Sequence, residues 1–89
     1  MFATFTDWEF SDIDAMTATG KAMWPKMQAA GAISFTATAT GPNTGRTRVV
    51  WPDAATAQAA IDDLRAAAME MTDTKATGMA AGEVMLDFS

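Results

Sequence analysis

Two arginines, Arg46 and Arg48, have the spacing in this 89-residue chain that most clearly permits ligand chemistry. They stand two apart in a segment with the period of a strand, so both guanidinium groups point to the same face. Paired guanidinium groups can hold a carboxylate or a phosphate through two parallel hydrogen bonds. The arginines could instead pair with Asp or Glu across a sheet or a dimer, and this alternative stays open.

The tryptophans are the second group of candidate binding residues. Their side chains are large and amphipathic, and they either line a pocket or form the core between a sheet and its helices. Trp24 is the better pocket candidate because Pro25 follows it, and a proline inside a helix removes a hydrogen bond and kinks or breaks the helix. Trp24, Arg46, Arg48 and Trp51 are therefore the predicted ligand-binding residues.

Several other kinds of chemistry are excluded or unsupported by the residues present. The chain has no Cys, His or Tyr, so it offers no thiol nucleophile, no imidazole base and no thiolate or imidazole ligand for a metal. Asp12 and Asp14 fit the start of a helix, and Asp62 and Asp63 fit a solvated helix face. The glycines form no phosphate-binding motif. We therefore predict no metal site and no cofactor.

Composition limits the partners of the protein. A length of 89 residues fits a single domain, 1–89, with a small core that is rich in Ala and Met. The net charge of −5 and the scattered basic residues argue against binding to nucleic acid. The sequence contains no stretch of 18 or more apolar residues, so no membrane span is predicted. The lack of Cys fits a reducing compartment. We expect a cytoplasmic protein without membrane contact.

Changes in hydrophobic period predict an α+β fold of ferredoxin-like βαββαβ order, with a four-stranded antiparallel sheet and two helices on one face. The second strand is the clearest, because apolar and hydroxyl residues alternate strictly from Ile33 to Thr40. Small and polar residues from 72 to 82 are interpreted as a connection. The predicted strands lie near residues 2–10, 33–40, 46–51 and 83–88, and the predicted helices near 12–30 and 54–72.

The helix ends and the sheet faces carry further predictions. Ser11 is expected to cap the first helix, Gly31 to end it, and Asp53 to cap the second. Gly20 lies on the apolar stripe of the first helix, which suggests close approach to the sheet.

The strands carry large residues at both odd and even positions. In the first strand, Phe2, Trp8 and Phe10 lie on one face and Phe5 lies on the other. A second subunit is the simplest cover for the helix-free face, so a homodimer is predicted.

The element order, the Ala-rich second helix and the stretches Thr40–Arg46 and Val49–Asp53 resemble the dimeric α/β-barrel superfamily, which includes the antibiotic-biosynthesis-monooxygenase-like proteins. The resemblance implies that two sheets pack face to face and that each subunit has a pocket between its sheet and its helices. The haem-ligating histidine of some members has no counterpart here. The Tyr of the quinone-forming members is missing as well, and the role of their Asn is not assigned to Asn43.

Two functions remain open on these grounds. The first is binding or transformation of a small organic or anionic molecule, monooxygenase-like by resemblance only. The second is a non-catalytic dimeric interaction or scaffolding domain. A cavity of about 300 Å³ or more that opens to solvent and includes the Arg pair or Trp24 would favour the first function. A packed interior would favour the second.

Overall fold

The structure is a computed structural model that describes residues 1–88. The order of elements is the predicted βαββαβ. The elements are β1 (Phe2–Phe10), α1 (Ile13–Ala29), β2 (Ser34–Gly41), β3 (Thr44–Trp51), α2 (Ala54–Met71) and β4 (Thr74–Glu83). The strands pair in the order β2-β3-β1-β4, and every pairing is antiparallel.

Register separates the side chains of the sheet onto two faces. Thr6 of β1 lies opposite Thr47 of β3, so the even residues of β1 and the odd residues of β3 share a face. That face carries Trp8, Val49 and Trp51, which are buried beneath the helices. The other face has no helix on it and carries Phe5, Asp7, Arg46, Arg48 and Val50.

The fourth strand lies earlier in the chain than predicted. Residues 83–88 were expected to form it because Val84, Leu86 and Phe88 alternate, but β4 ends at Glu83 and residues 84–88 have no regular structure. Except for Glu83, the residues of β4 were predicted to form a connection. It forms there because α2 ends at Met71, and the next residues pair along the whole of β1. Pairing with β1 therefore outweighs weak local strand propensity.

Helix α1 differs from the prediction at its start and at Pro25. Asp12, not Ser11, is the N-cap, and its side chain accepts a hydrogen bond from the backbone N–H of Asp14. The hydroxyl of Ser11 instead donates to Asp73. A kink or a break was predicted near Met23 to Pro25, and the break is absent, since α1 continues through Pro25. Pro25 is exposed, so water can solvate the carbonyl that loses its intrahelical partner.

The predicted end of α1 and the predicted start of α2 agree with the structure, whereas the turn between β2 and β3 differs in length. Gly31 follows α1 with a φ of 106°, a conformation that favours glycine at the end of a helix. Asp53 caps α2 by accepting a hydrogen bond from the N–H of Thr56 at 2.7 Å. The turn between β2 and β3 is shorter than expected, because the strands continue to Gly41 and from Thr44. The side-chain amide of Asn43 donates to the carbonyl of Phe10 and so ties this turn to the end of β1.

The core lies between the sheet and the helices in two clusters. The larger cluster centres on Trp51, which is 0% exposed and whose indole N–H donates to the hydroxyl of Thr4 at 3.0 Å. The smaller cluster joins Trp8 and Phe10 of β1 to Ala68 of α2. Between them the packing is open, and this gap forms the candidate site. The larger cluster contains Met23, Met27, Val49, Trp51, Ala57 and Leu64.

Candidate functional site

A cavity of about 610 Å³ lies between α1 and the helix-covered face of the sheet. We call it the α1 cavity. It is partly open to solvent, and exposed residues of α1 such as Lys21 and Thr17 border it. Its walls are mainly apolar and aromatic. The large apolar side chains that line it are Trp8, Phe10, Ile13, Met16, Met23, Trp24, Met27, Phe35, Val49, Ile61 and Leu64.

The cavity exists because the two helices lie at different depths over the sheet. The backbone of α2 comes close to β1, β3 and β4, whereas α1 comes close to α2 but remains farther from the strands. The predicted close approach of Gly20 to the sheet is not confirmed, because only the far end of the Phe35 side chain, and no strand backbone, lies near it. A Cβ atom added at Gly20 would lie 3.6 Å from the ring of Phe35, which is ordinary van der Waals contact.

Aromatic rings form one wall of the cavity. Trp24 of α1 stacks on Phe35 of β2, with ring centroids 6.4 Å apart and planes 15° from parallel. Trp8 borders the cavity from β1, and its indole N–H donates to the hydroxyl of Thr47 at 3.0 Å. The indole nitrogen of Trp8 is therefore satisfied within the protein, and its ring contributes an apolar surface.

Arg65 is the residue at this cavity that the sequence analysis missed. It lies on α2, its side chain is 12% exposed, and its Nε donates to the hydroxyl of Thr6 at 3.0 Å. Burial lowers the pKa of the Arg65 guanidinium, and nearby Asp62 opposes that shift. The group stays charged at neutral pH because the ordinary pKa of arginine is so high. The sequence could have identified Arg65, since it stands four residues after Ile61 and therefore lies beside the apolar stripe of α2.

The structure separates the four predicted binding residues. Trp24 and Arg46 border the α1 cavity, but Arg48 and Trp51 do not. The guanidinium of Arg46 lies on the helix-free face, where its Nε is 2.9 Å from Asp7 Oδ1 and its charge lies over the ring of Phe5. Arg48 projects from that same face by strand alternation.

Trp51 lies in the packed core and has no exposed surface with which to touch a ligand. Trp51 and the two arginines are thus on opposite sides of the sheet. The four residues do not form one site.

Within residues 1–88, no group of three His, Cys, Asp or Glu side chains could hold a metal ion. The charged residues that line the α1 cavity in this range are Lys21, Arg46 and Arg65, and none of its lining residues is acidic. The helices of the described chain are too short or too polar to cross a membrane.

Comparison with known proteins identifies the fold. No protein-family model matches the chain, and no curated protein matches it in sequence. A protein of unknown function from Nitrosomonas europaea has the same fold with a TM-score of 0.72 and 20% identity, over 97% of this chain and 90% of that one.

Two further solved structures are similar. A protein from Deinococcus radiodurans, proposed to be an antibiotic biosynthesis monooxygenase, matches with a TM-score of 0.64 and 12% identity, over 100% of this chain and 97% of that one. A dimeric ferredoxin-like protein from an uncultured marine organism matches with a TM-score of 0.66 and 10% identity, over 100% and 99% of the two chains. The predicted ferredoxin-like fold is confirmed. At these identities, the likeness extends to the fold alone.

Proposed function

We propose that this protein binds a small, largely apolar organic molecule in the α1 cavity. The observation that supports the proposal is the cavity itself, because its volume of about 610 Å³ lies within the range of about 300–1,000 Å³ that is typical of ligand sites. It opens to solvent and includes Trp24, which is the feature that the sequence analysis used to distinguish a binding domain from a packed interaction domain.

We also propose that the protein transforms its ligand, and this part of the proposal rests on a structural neighbour. One structural neighbour is described as a proposed monooxygenase. Among residues 1–88, those that line the cavity include no carboxylate, imidazole, thiol or phenol. Side-chain acid–base catalysis would therefore depend on Lys21, and an oxygenation would have to take its electrons from the substrate. Binding is the activity that the site supports best.

The three tryptophans provide a direct test of binding. We expect that 2-naphthylmethanol, added at millimolar concentration, shifts the indole N–H resonances of Trp8 and Trp24 in a ¹H–¹⁵N NMR spectrum. Trp51 should not respond, because it lies outside the cavity. The absence of any shift, or a shift of all three signals alike, would contradict binding at this site.

A pair of neighbouring substitutions on β2 provides the control. Ala37 lines the cavity, whereas Thr36 alternates to the other face of the sheet. We expect Ala37→Trp to fill the cavity and weaken binding of the naphthyl probe at least about tenfold. Thr36→Trp adds the same side chain outside the cavity and should leave binding unchanged. Equal effects of the two substitutions would place the probe elsewhere.

We further propose that two copies of the chain associate through the helix-free face of the sheet. One structural neighbour is described as dimeric, and Phe5 is only half-buried on this face. Sedimentation at micromolar concentration should give twice the 9.4 kDa mass of one chain. The melting temperature should fall on dilution, because mass action couples folding to association. A mass of one chain at these concentrations would refute the dimer.

A non-catalytic interaction domain is the second candidate, and the segment after β4 favours it. Met85 is 92% exposed and Phe88 is 93% exposed, and Leu86 between them is also exposed. Such side chains can pack against a partner. If this segment joins the two copies, Leu86→Ser combined with Phe88→Ser will dissociate the dimer, whereas Phe5→Ser will not. The opposite result supports association through the sheet face.

The cytoplasmic location and the lack of nucleic-acid binding stay predictions. Retention of the protein on immobilised DNA or RNA at physiological salt would contradict the second of them.

A further inference from the structure

Arg65 is a mostly buried cation whose charge has no buried counter-charge. Its Nε donates to Thr6 Oγ1 at 3.0 Å, and its Nη2 donates to the carbonyl of Phe5 at 3.5 Å. Both acceptors are neutral. The Nη1 atom is 3.6 Å from Asp62 Oδ1, but the Asp62 side chain is 90% exposed and therefore strongly screened by water. The first two contacts hold the guanidinium in place and leave most of its charge uncompensated.

The charge of the α1 cavity is the reverse of the charge of the protein. The chain has 6 basic and 11 acidic residues. Lys21 and Arg65 line the cavity, Arg46 lines it without its guanidinium, and the lining residues include no acidic one within residues 1–88. The guanidinium of Arg46 is neutralised by Asp7 on the other face, and Lys21 is exposed at the rim. Arg65 is thus the mostly buried cation among the lining residues that the structure describes, and its carboxylate partner Asp62 is exposed to water. Apolar walls around a charge strengthen its field.

We propose that the ligand of the α1 cavity carries a carboxylate and that Arg65 binds this group. This inference rests on the proposed function and adds the chemical class of the ligand, an apolar or aromatic carboxylic acid in its ionised form. The apolar part of the molecule contacts the wall that contains Trp24 and Phe35. The planar guanidinium suits a carboxylate because it can donate parallel hydrogen bonds to both oxygens, and Asp62 is the weak partner that the ligand replaces.

The test compares two probes that share a ring system and differ in charge. Calorimetric titration at neutral pH is carried out with 2-naphthoate and with 2-naphthylmethanol. We expect 2-naphthoate to bind about ten- to a hundredfold more tightly, because a hydrogen bond to a charged group is worth more than one to a neutral group. Arg65→Met should remove this preference and retain binding of the alcohol. Arg65→Lys keeps the charge without the planar fork and should retain part of the preference.

Arg48→Met is the matched control, since it removes an arginine from the opposite face of the sheet. It should leave both affinities unchanged. Thermal unfolding of each variant verifies that it is folded. The preference of the unmodified protein for 2-naphthoate over 2-naphthylmethanol tests the carboxylate inference without any variant. Equal binding of the two probes overturns the carboxylate inference and leaves the proposed function intact. Binding of neither probe overturns both, and a preference that persists in folded Arg65→Met overturns the role of Arg65.

Discussion

The two helices lie on the same face of the sheet at different depths, and their buried residues differ in size. Ala57, Leu64 and Ala68 are buried on α2, and the small side chains of the two alanines let its backbone come close to the strands. The buried residues of α1 include Met23 and Met27, whose long side chains keep its backbone away from the sheet. The size of the residues on a buried stripe thus decides whether a helix closes the core or leaves a cavity.

The two helices also differ in their polar contacts. Arg65 ties α2 to β1 through two hydrogen bonds. The hydroxyls of Thr17 and Thr19 on α1 donate instead to carbonyl groups of their own helix. We therefore expect the α2 side to carry most of the stability and the α1 side to tolerate changes. Substitutions on the two sides can test this division.

The largest effect is expected for Trp51, the tryptophan in the packed core. Trp51→Ala removes a completely buried ring and leaves a void, so the free energy of unfolding should fall by about 3–5 kcal/mol. Trp24→Ala removes a half-buried ring at the cavity and should cost about 1–2 kcal/mol. Urea denaturation of both variants gives the comparison. Equal losses would refute the proposed division between the two sides.

A smaller loss is expected where the end of α1 meets the start of α2. Gly31 has a φ of 106°, and a Cβ atom added there would lie 2.8 Å from the Cγ2 atom of Thr56. Gly31→Ala should lower the free energy of unfolding by about 1–2 kcal/mol, because a residue with a side chain is strained in this conformation. Urea denaturation measures this loss. An unchanged stability would show that this junction can relax.

Substitution of Gly20, which lines the cavity, is expected to raise the free energy of unfolding rather than lower it. Gly20 is inside a helix, has no positive φ, and would place an added methyl group 3.6 Å from Phe35. Gly20→Ala should raise the free energy of unfolding by about 0.5–1 kcal/mol, since alanine loses less backbone entropy in a helix. A loss of stability in urea would mean that the space beneath α1 is tighter than the structure indicates.

The smallest effect is a pH dependence at the start of α2. The hydrogen bond from Thr56 lowers the pKa of Asp53 below its ordinary value of 3.8 in the folded protein. The ionised carboxylate therefore adds stability that is present above the ordinary pKa and is lost as the pH falls through the folded pKa. Asp53→Asn keeps an acceptor but does not titrate there. Its difference in melting temperature from the unmodified protein should shrink between about pH 5 and about pH 2.

The matched control for Asp53 is Asp63→Asn, which removes an exposed carboxylate from the middle of the same helix. It should not reproduce the change in the acid range. Parallel melting curves for Asp53→Asn and the unmodified protein at every pH would contradict the role of the cap.

Local patterns in the sequence determined most of the elements. Strict alternation identified β2 within a residue at each end, and the chemistry of single residues located the cap at Asp53 and the helix end at Gly31. These features depend on neighbours in the chain. A cap is a hydrogen bond between residues two or three apart, and alternation follows from the geometry of the strand backbone. The arrangement of large residues on both faces of β1 and β3 was likewise predictable from alternation alone.

Only the tertiary structure decided where β4 lies and which guanidinium group lies on the cavity side of the sheet. Residues 74–83 are mostly small and have weak strand propensity, and they form a strand because β1 is available for pairing along its length. Arg46 and Arg48 had the more conspicuous spacing, but strand register turns them away from the helices. Arg65 faces the site because α2 packs closely on the sheet. Strand pairing, strand register and the depth at which a helix packs on the sheet depend on residues far apart in the chain. A local sequence pattern therefore does not determine them.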